Sequence, residues 1–207
     1  MHQLIFRGAK YSFFLLFTLS LPILLETEQI LRLWLKTVPE YTVIFTRLVI
    51  INVLIDCISG PLMTAAQASG KIKLYQSVVG GLLILNLPVS YLFLKLGFQP
   101  QVTIYISIGI SIIALTLRLL ILKKLVKLKL DKFFYQVILK IMIVSFTAVV
   151  IPLLFYIFMD ISIHRFIIVA LAAIVSSINV IFFLGLSSDE KIYFINGLKK
   201  IKTKIIQ

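Results

Sequence analysis

The chain has 207 residues, of which 60% are hydrophobic and 14% charged, with a mean hydropathy of +1.08 and a formal net charge of +13. So little polar surface cannot cover a water-soluble globule of this length; the composition is that of an integral membrane protein, whose apolar stretches need only about 20 residues each to cross a bilayer. The positive charge does not point to nucleic acid, because the lysines stand at the ends of apolar runs and no polar segment interleaves basic with aromatic residues.

Six apolar runs follow one another along the chain. The first, Tyr11 to Leu25, comes after Arg7 and Lys10 as the core of a signal peptide would. No small-residue cleavage site succeeds it, and Glu26, Glu28 and ILRLWL continue the pattern, so an uncleaved span over about 11–31 is expected, ending near an interfacial Trp34. The remaining spans are expected over about 46–68, 74–95, 101–122, 137–159 and 165–186, with a basic tail over 187–207. Short connections carry the breakers: Val38-Pro39, Ser69-Gly70-Lys71, Gly97 to Pro100, the cluster Lys123 to Lys132, and Asp160 to Arg165. The expected fold is an all-α polytopic bundle of six transmembrane helices in a single domain.

Six spans put both chain ends on one side. Of the 21 Lys and Arg residues only Arg32, Lys36, Arg47, Lys95 and Arg165 then fall on the other side, and the positive-inside rule makes the termini cytoplasmic. The cluster KKLVKLKLDK and the tail would lie against the anionic inner leaflet.

The second span is the least apolar for its length. Between Leu48 and Ala68 it has nine Leu, Ile or Val residues, about −3 to −5 kcal/mol on the insertion scale, and Asp56 near its centre returns about 2.5–3.5 of that. Asn52, Asp56, Ser59, Met63 and Gln67 recur at steps of four, three, four and four, which places them on one helix face, turned toward other helices or a wet cavity. Asn52, Asp56 and Gln67, with Asn86 in the third span, are the candidate substrate or ion pathway; a packing role for Asp56 is the other reading. Pro61, behind Gly60, removes a hydrogen bond to the Cys57 carbonyl and is expected to bend the helix, as are Pro22, Pro88 and Pro152 in their spans.

Small residues at Gly80-Gly81, at Ser107, Ser111 and Ala114, and at Ala172, Ser176 and Asn179 read as packing surfaces. Arg47 and Arg118, toward span ends, read as snorkelling to the headgroups. His2 and His164 stand apart, Asp189-Glu190 reads as an interfacial pair, and no grouping has metal-ligand spacing, so neither metal nor cofactor is expected and the chain does not read as an enzyme. Cys57, the single cysteine, reads as a structural thiol.

A proline-containing span ending in ILRLWL, a short loop, then a helix closing in GPLMTAAQASGKIKLYQ, with LLILNLP and Asn86 beyond it, resembles the back half of a polysaccharide or oligosaccharide flippase of the multidrug/oligosaccharidyl-lipid/polysaccharide exporter superfamily. The resemblance runs from about residue 10 to about 135 and rests on the segment Ala65 to Lys71; GFQPQVT departs from the family's Gly-x-x-Gly pattern. It implies the C-terminal portion of a protein with twelve to fourteen helices in two lobes, located in the bacterial inner membrane. Such a protein moves a lipid-linked oligosaccharide outward by alternating access for lipopolysaccharide or capsule assembly. The partners so implied are the lipid bilayer, that oligosaccharide, and a missing N-terminal lobe in cis or trans. The alternatives are a membrane enzyme of glycan assembly, for which the outer loops are short, and a non-catalytic scaffold subunit.

Overall fold

The computed structural model describes residues 2–70, 72–192 and 196. Lys71 and most of the expected basic tail, 193–195 and 197–207, lie outside the described residues. Six helical stretches among the described residues have the length and apolarity to cross a membrane: His2–Leu25, Thr42–Ala68, Tyr75–Lys95, Val102–Val126, Leu130–Phe158 and Ile163–Gly185. The chain is an all-helical, multi-pass membrane bundle.

Span 1 is the helix α1 (His2–Leu25), followed by a short helix α2 (Thr27–Trp34). The expected span over 11–31 therefore starts nine residues early, because Lys10, which looks like a boundary in the sequence, is buried and paired within the fold, and it ends before Glu26, which the sequence reads as continuing the helix. Span 2 is α3 (Thr42–Cys57) and α4 (Ser59–Ala68), and span 3 is α5 (Ile72–Ile84) and α6 (Asn86–Lys95). Each is interrupted three residues before its proline, at Ile58 ahead of Pro61 and at Leu85 ahead of Pro88, where the missing N–H opens the hydrogen-bond ladder. Pro22 and Pro152 lie inside helices assigned without a break.

Span 4 is α7 (Val102–Val126), closed by Lys127 in the left-handed conformation, with the Leu128 N–H donating back to Leu122. A short α8 (Leu130–Phe133) and a π-helical turn, Phe134–Ile138, lead into α9 (Leu139–Phe158), which completes span 5. Span 6 is α10 (Ile163–Val180) ending in a second π-helical turn, Ile181–Gly185. Its start is capped by Ser162, whose side chain accepts from the Arg165 N–H at 3.1 Å.

Packing divides the spans into two groups joined through span 1. Spans 5 and 6 lie against each other and against span 1; span 4 lies against spans 2 and 3; and span 2 contacts span 1. In span 1, 44% of the most apolar stretch is buried, against 6% in span 3, so span 1 is central and span 3 peripheral. The core draws on Phe6, Phe13, Phe14 and Phe17 of span 1, Leu62 and Ala66 of span 2, Ala114 of span 4 and Val144 of span 5. Large side chains facing outward, Leu87, Phe146 and Ile157 among them, form the apolar exterior that a bilayer solvates.

Candidate functional site

Asp56 lies midway along span 2 and faces span 4. There the Ser111 hydroxyl donates to its Oδ2 at 3.3 Å, and Arg118 Nη1 stands 3.8 Å from Oδ1. Ser111 and Arg118 are two turns apart, yet both reach Asp56 because helix side chains slant toward the helix N-terminus and the long arginine extends back along α7. The Asp56 side chain is 44% exposed and that of Arg118 13%. Arg118 therefore turns into the bundle and does not snorkel outward as its position in the sequence implied.

The pair is loose, and its surroundings are incompletely hydrogen-bonded. Arg118 Nε, Asn52 Oδ1 and Ser59 Oγ are buried with no hydrogen-bond partner among the described residues. Tyr75, at the start of span 3, is an electrostatic neighbour of Arg118. Spans 2, 3 and 4 thus meet around polar groups inside the bundle, where each unmet donor or acceptor is costly.

The expected stripe divides. Asn52 and Asp56 are half-buried and Ser59 is buried, but Met63 and Gln67 are exposed. Two successive steps of four carry Gln67 about 80° around the helix from Ser59, and the buried face continues instead through Leu62 and Ala66. Asn86 is also separate from Asp56: its amide donates to Ser107 Oγ at 2.9 Å and its carbonyl accepts from Ser90 at 3.1 Å, tying span 3 to span 4. Cys57 is a half-buried free thiol bonded to the Leu54 carbonyl.

Two tighter ion pairs hold span 1 to span 6 and its flank. At the end of the bundle that carries His2, Lys10 Nζ donates to Glu190 Oε2 at 2.6 Å, Arg7 Nε lies 3.4 Å from Oε1, and the Ser187 N–H adds a bond at 2.8 Å. Burial pushes the Glu190 carboxyl up, but the Lys10 and Ser187 hydrogen bonds and the Lys10 charge outweigh it and hold the group below the ordinary carboxylate range. At the opposite end Arg165 Nη2 donates to Glu26 Oε2 at 3.1 Å while Nε stands 3.1 Å from Oε1, a two-point contact, and the guanidinium lies over the Tyr156 ring. Lys10 and Glu26 are sixteen residues apart on one helix path, about 24 Å, so the two pairs lie toward opposite membrane faces.

Neither pair is foreseen in the sequence reading, which takes Glu26 as a helix continuation and Glu190 as interfacial. The available signal is topological: six crossings place Lys10 with Glu190 at one end and Glu26 with Arg165 at the other. Arg47 likewise turns inward, donating to the Leu24 and Leu25 carbonyls and Thr27 Oγ1, and so stitches span 2 to the end of span 1. Of the expected packing faces, Ser111 and Ala114 are buried and Ser176 donates to the Ala148 carbonyl. Gly80 and Gly81 have open space beside them and Asn179 is exposed, so these three lie outside the helix contacts. No group of three or more His, Cys, Asp or Glu side chains among the described residues could hold a metal ion.

Comparison with known proteins finds no matching family model, no matching curated protein and no matching solved structure.

Proposed function

We propose that this chain is a multi-pass protein of the bacterial inner membrane with both ends cytoplasmic, and that it forms the C-terminal portion of a flippase carrying a lipid-linked oligosaccharide outward by alternating access. The observation that carries this reading is the loose pair of Asp56 and Arg118 at mid-membrane, set among unmet polar atoms on a helix interrupted at Ile58. A polar substrate supplies what the pair lacks: Arg118 donates to phosphate or hydroxyl oxygens, and Asp56 accepts from sugar hydroxyls. The break at Ile58 and the Gly60-Pro61 pair let the two halves of span 2 move separately around such a site. The charge imbalance between the two faces supports the orientation.

The test is made in cells whose surface polysaccharide depends on this chain. Asp56→Asn and Arg118→Gln, each at normal membrane level, should lower surface glycan at least tenfold with lipid-linked precursor accumulating inside. Unchanged glycan in both variants would reduce the pair to a packing contact, as a scaffold subunit would have. Tags at either end should be reached by antibody only after permeabilisation.

A further inference from the structure

We infer that the junction of spans 1, 5 and 6 at the His2 end binds one anionic phospholipid, its phosphate in a polar cavity and one acyl chain in the groove beside it. This site is separate from Asp56 and does not depend on the transport reading. Two cavities adjoin there and share Glu190. The first, about 430 Å³, is lined by Gln3, Arg7, Lys10, Gln136, Lys140 and the 187–190 turn. The second, about 910 Å³, is an apolar groove between spans 1 and 6, running from Tyr11 to Leu19 on one wall and along Ile178, Ile181 and Phe182 on the other.

Charge decides what the polar cavity takes. Glu190 is engaged by Lys10, Arg7 and the Ser187 N–H, so its charge is already matched. Among the described residues Lys140 has a distant contact, 3.5 Å to the Gly185 carbonyl, and the three cations lining the cavity, Arg7, Lys10 and Lys140, outnumber its two carboxylates, Asp189 and Glu190, by one. Gln3 and Gln136 add amide donors at the rim. A monoanionic phosphate fits one net positive charge with neutral donors around it; a neutral zwitterionic headgroup brings an ammonium against Lys140.

Geometry decides why the occupant is a lipid. From Tyr11 to Leu19 the groove spans about 12 Å along the helix, within one leaflet of a hydrocarbon core about 30 Å thick. It meets the polar cavity at Glu190, which lines both, so a headgroup in the cavity lies at the end of the groove that its chain would enter. The groove wall depends on the π-helical turn Ile181–Gly185 and on Gly185, which lets Phe14 approach so closely that an added Cβ would meet the ring at 2.7 Å.

The test uses the purified full chain in a neutral detergent, with a fluorescent short-chain phosphatidylglycerol as probe and phosphatidylcholine of the same chains as control. Phosphatidylglycerol should bind at least tenfold more tightly. Lys140→Ala should weaken it about tenfold with phosphatidylcholine unchanged, Lys140→Arg should retain it, and Leu15→Trp, which fills the groove, should weaken both lipids. Lys132→Ala, an exposed cation outside the cavity, should change nothing. Equal binding of the two lipids would overturn the proposal, as would equal losses in the Lys132 and Lys140 variants, which mean diffuse attraction. Inorganic phosphate displacing the probe at probe-like concentrations would also overturn it, since the groove would then contribute nothing.

Discussion

The two halves of the bundle handle charge inside a membrane in opposite ways. Spans 1, 5 and 6 are fastened near each face by a buried pair at 2.6 Å or 3.1 Å, and at the first of these the Ser187 N–H adds a further donor to Glu190. Among the described residues spans 2 and 4 share one looser pair, at 3.8 Å midway along span 2, with the carboxylate side chain 44% exposed. A close, buried pair holds one geometry because parting it strands a charge away from water, whereas a loose, partly exposed one has spare bonding capacity that a ligand or a second conformation can take up. Rigidity therefore belongs to the first group and adaptability to the second.

The largest test of that contrast removes one partner of a latch. Glu190→Ala or Glu26→Ala leaves Lys10 or Arg165 buried without its carboxylate and should cost about 3–5 kcal/mol, read as a lowered thermal midpoint in detergent. The first latch also predicts a pH effect. Glu190 titrates below the ordinary glutamate value of about 4.3, so its contribution is complete at neutral pH and is lost as pH falls through its folded value. Glu190→Gln should lack that acid-dependent step; an identical step in the variant would assign it to another group.

A smaller loss is expected from tightening the contact between spans 1 and 6. Gly185→Ala puts a methyl 2.7 Å from the Phe14 ring, which is 3% exposed and firmly packed, and should cost about 1–3 kcal/mol. Phe14→Leu in the same chain should recover part of it. In the other half, Asp56→Ala should cost about 1 kcal/mol or less, because losing a distant partner is set against relief of a carboxylate's insertion cost. A loss as large as that from Glu190→Ala would end the distinction between the halves. The smallest effect, and of opposite sign, belongs to Gly80→Ala: its Cβ meets nothing within 4 Å, so helix propensity alone should raise stability by up to about 1 kcal/mol.

Some of this was legible in the residues and some was not. Asp56 declared itself as the one acidic residue in an apolar run, but helical phase alone puts Met63 and Gln67 on the face of Asp56 and Ser59, and only the packed bundle leaves those two exposed. The partner of Asp56 could not be identified, since Arg118 is 62 positions away and resembles any span-end arginine until span 4 is packed beside span 2. Lys10 and Glu26 were misleading for the same reason: one reads as a boundary and the other as a helix continuation when their mates, Glu190 and Arg165, are 180 and 139 residues distant.

The sequence by itself determined that the chain is helical, how many times it can cross a bilayer, and which positions would be costly there, because hydrocarbon penalises each polar group independently of what lies far along the chain. Tertiary structure alone decided which charges meet, how closely, and whether they are left short of partners. Those outcomes depend on helix adjacency and axial offset, which are set by the summed packing of many side chains and are not encoded in any single segment.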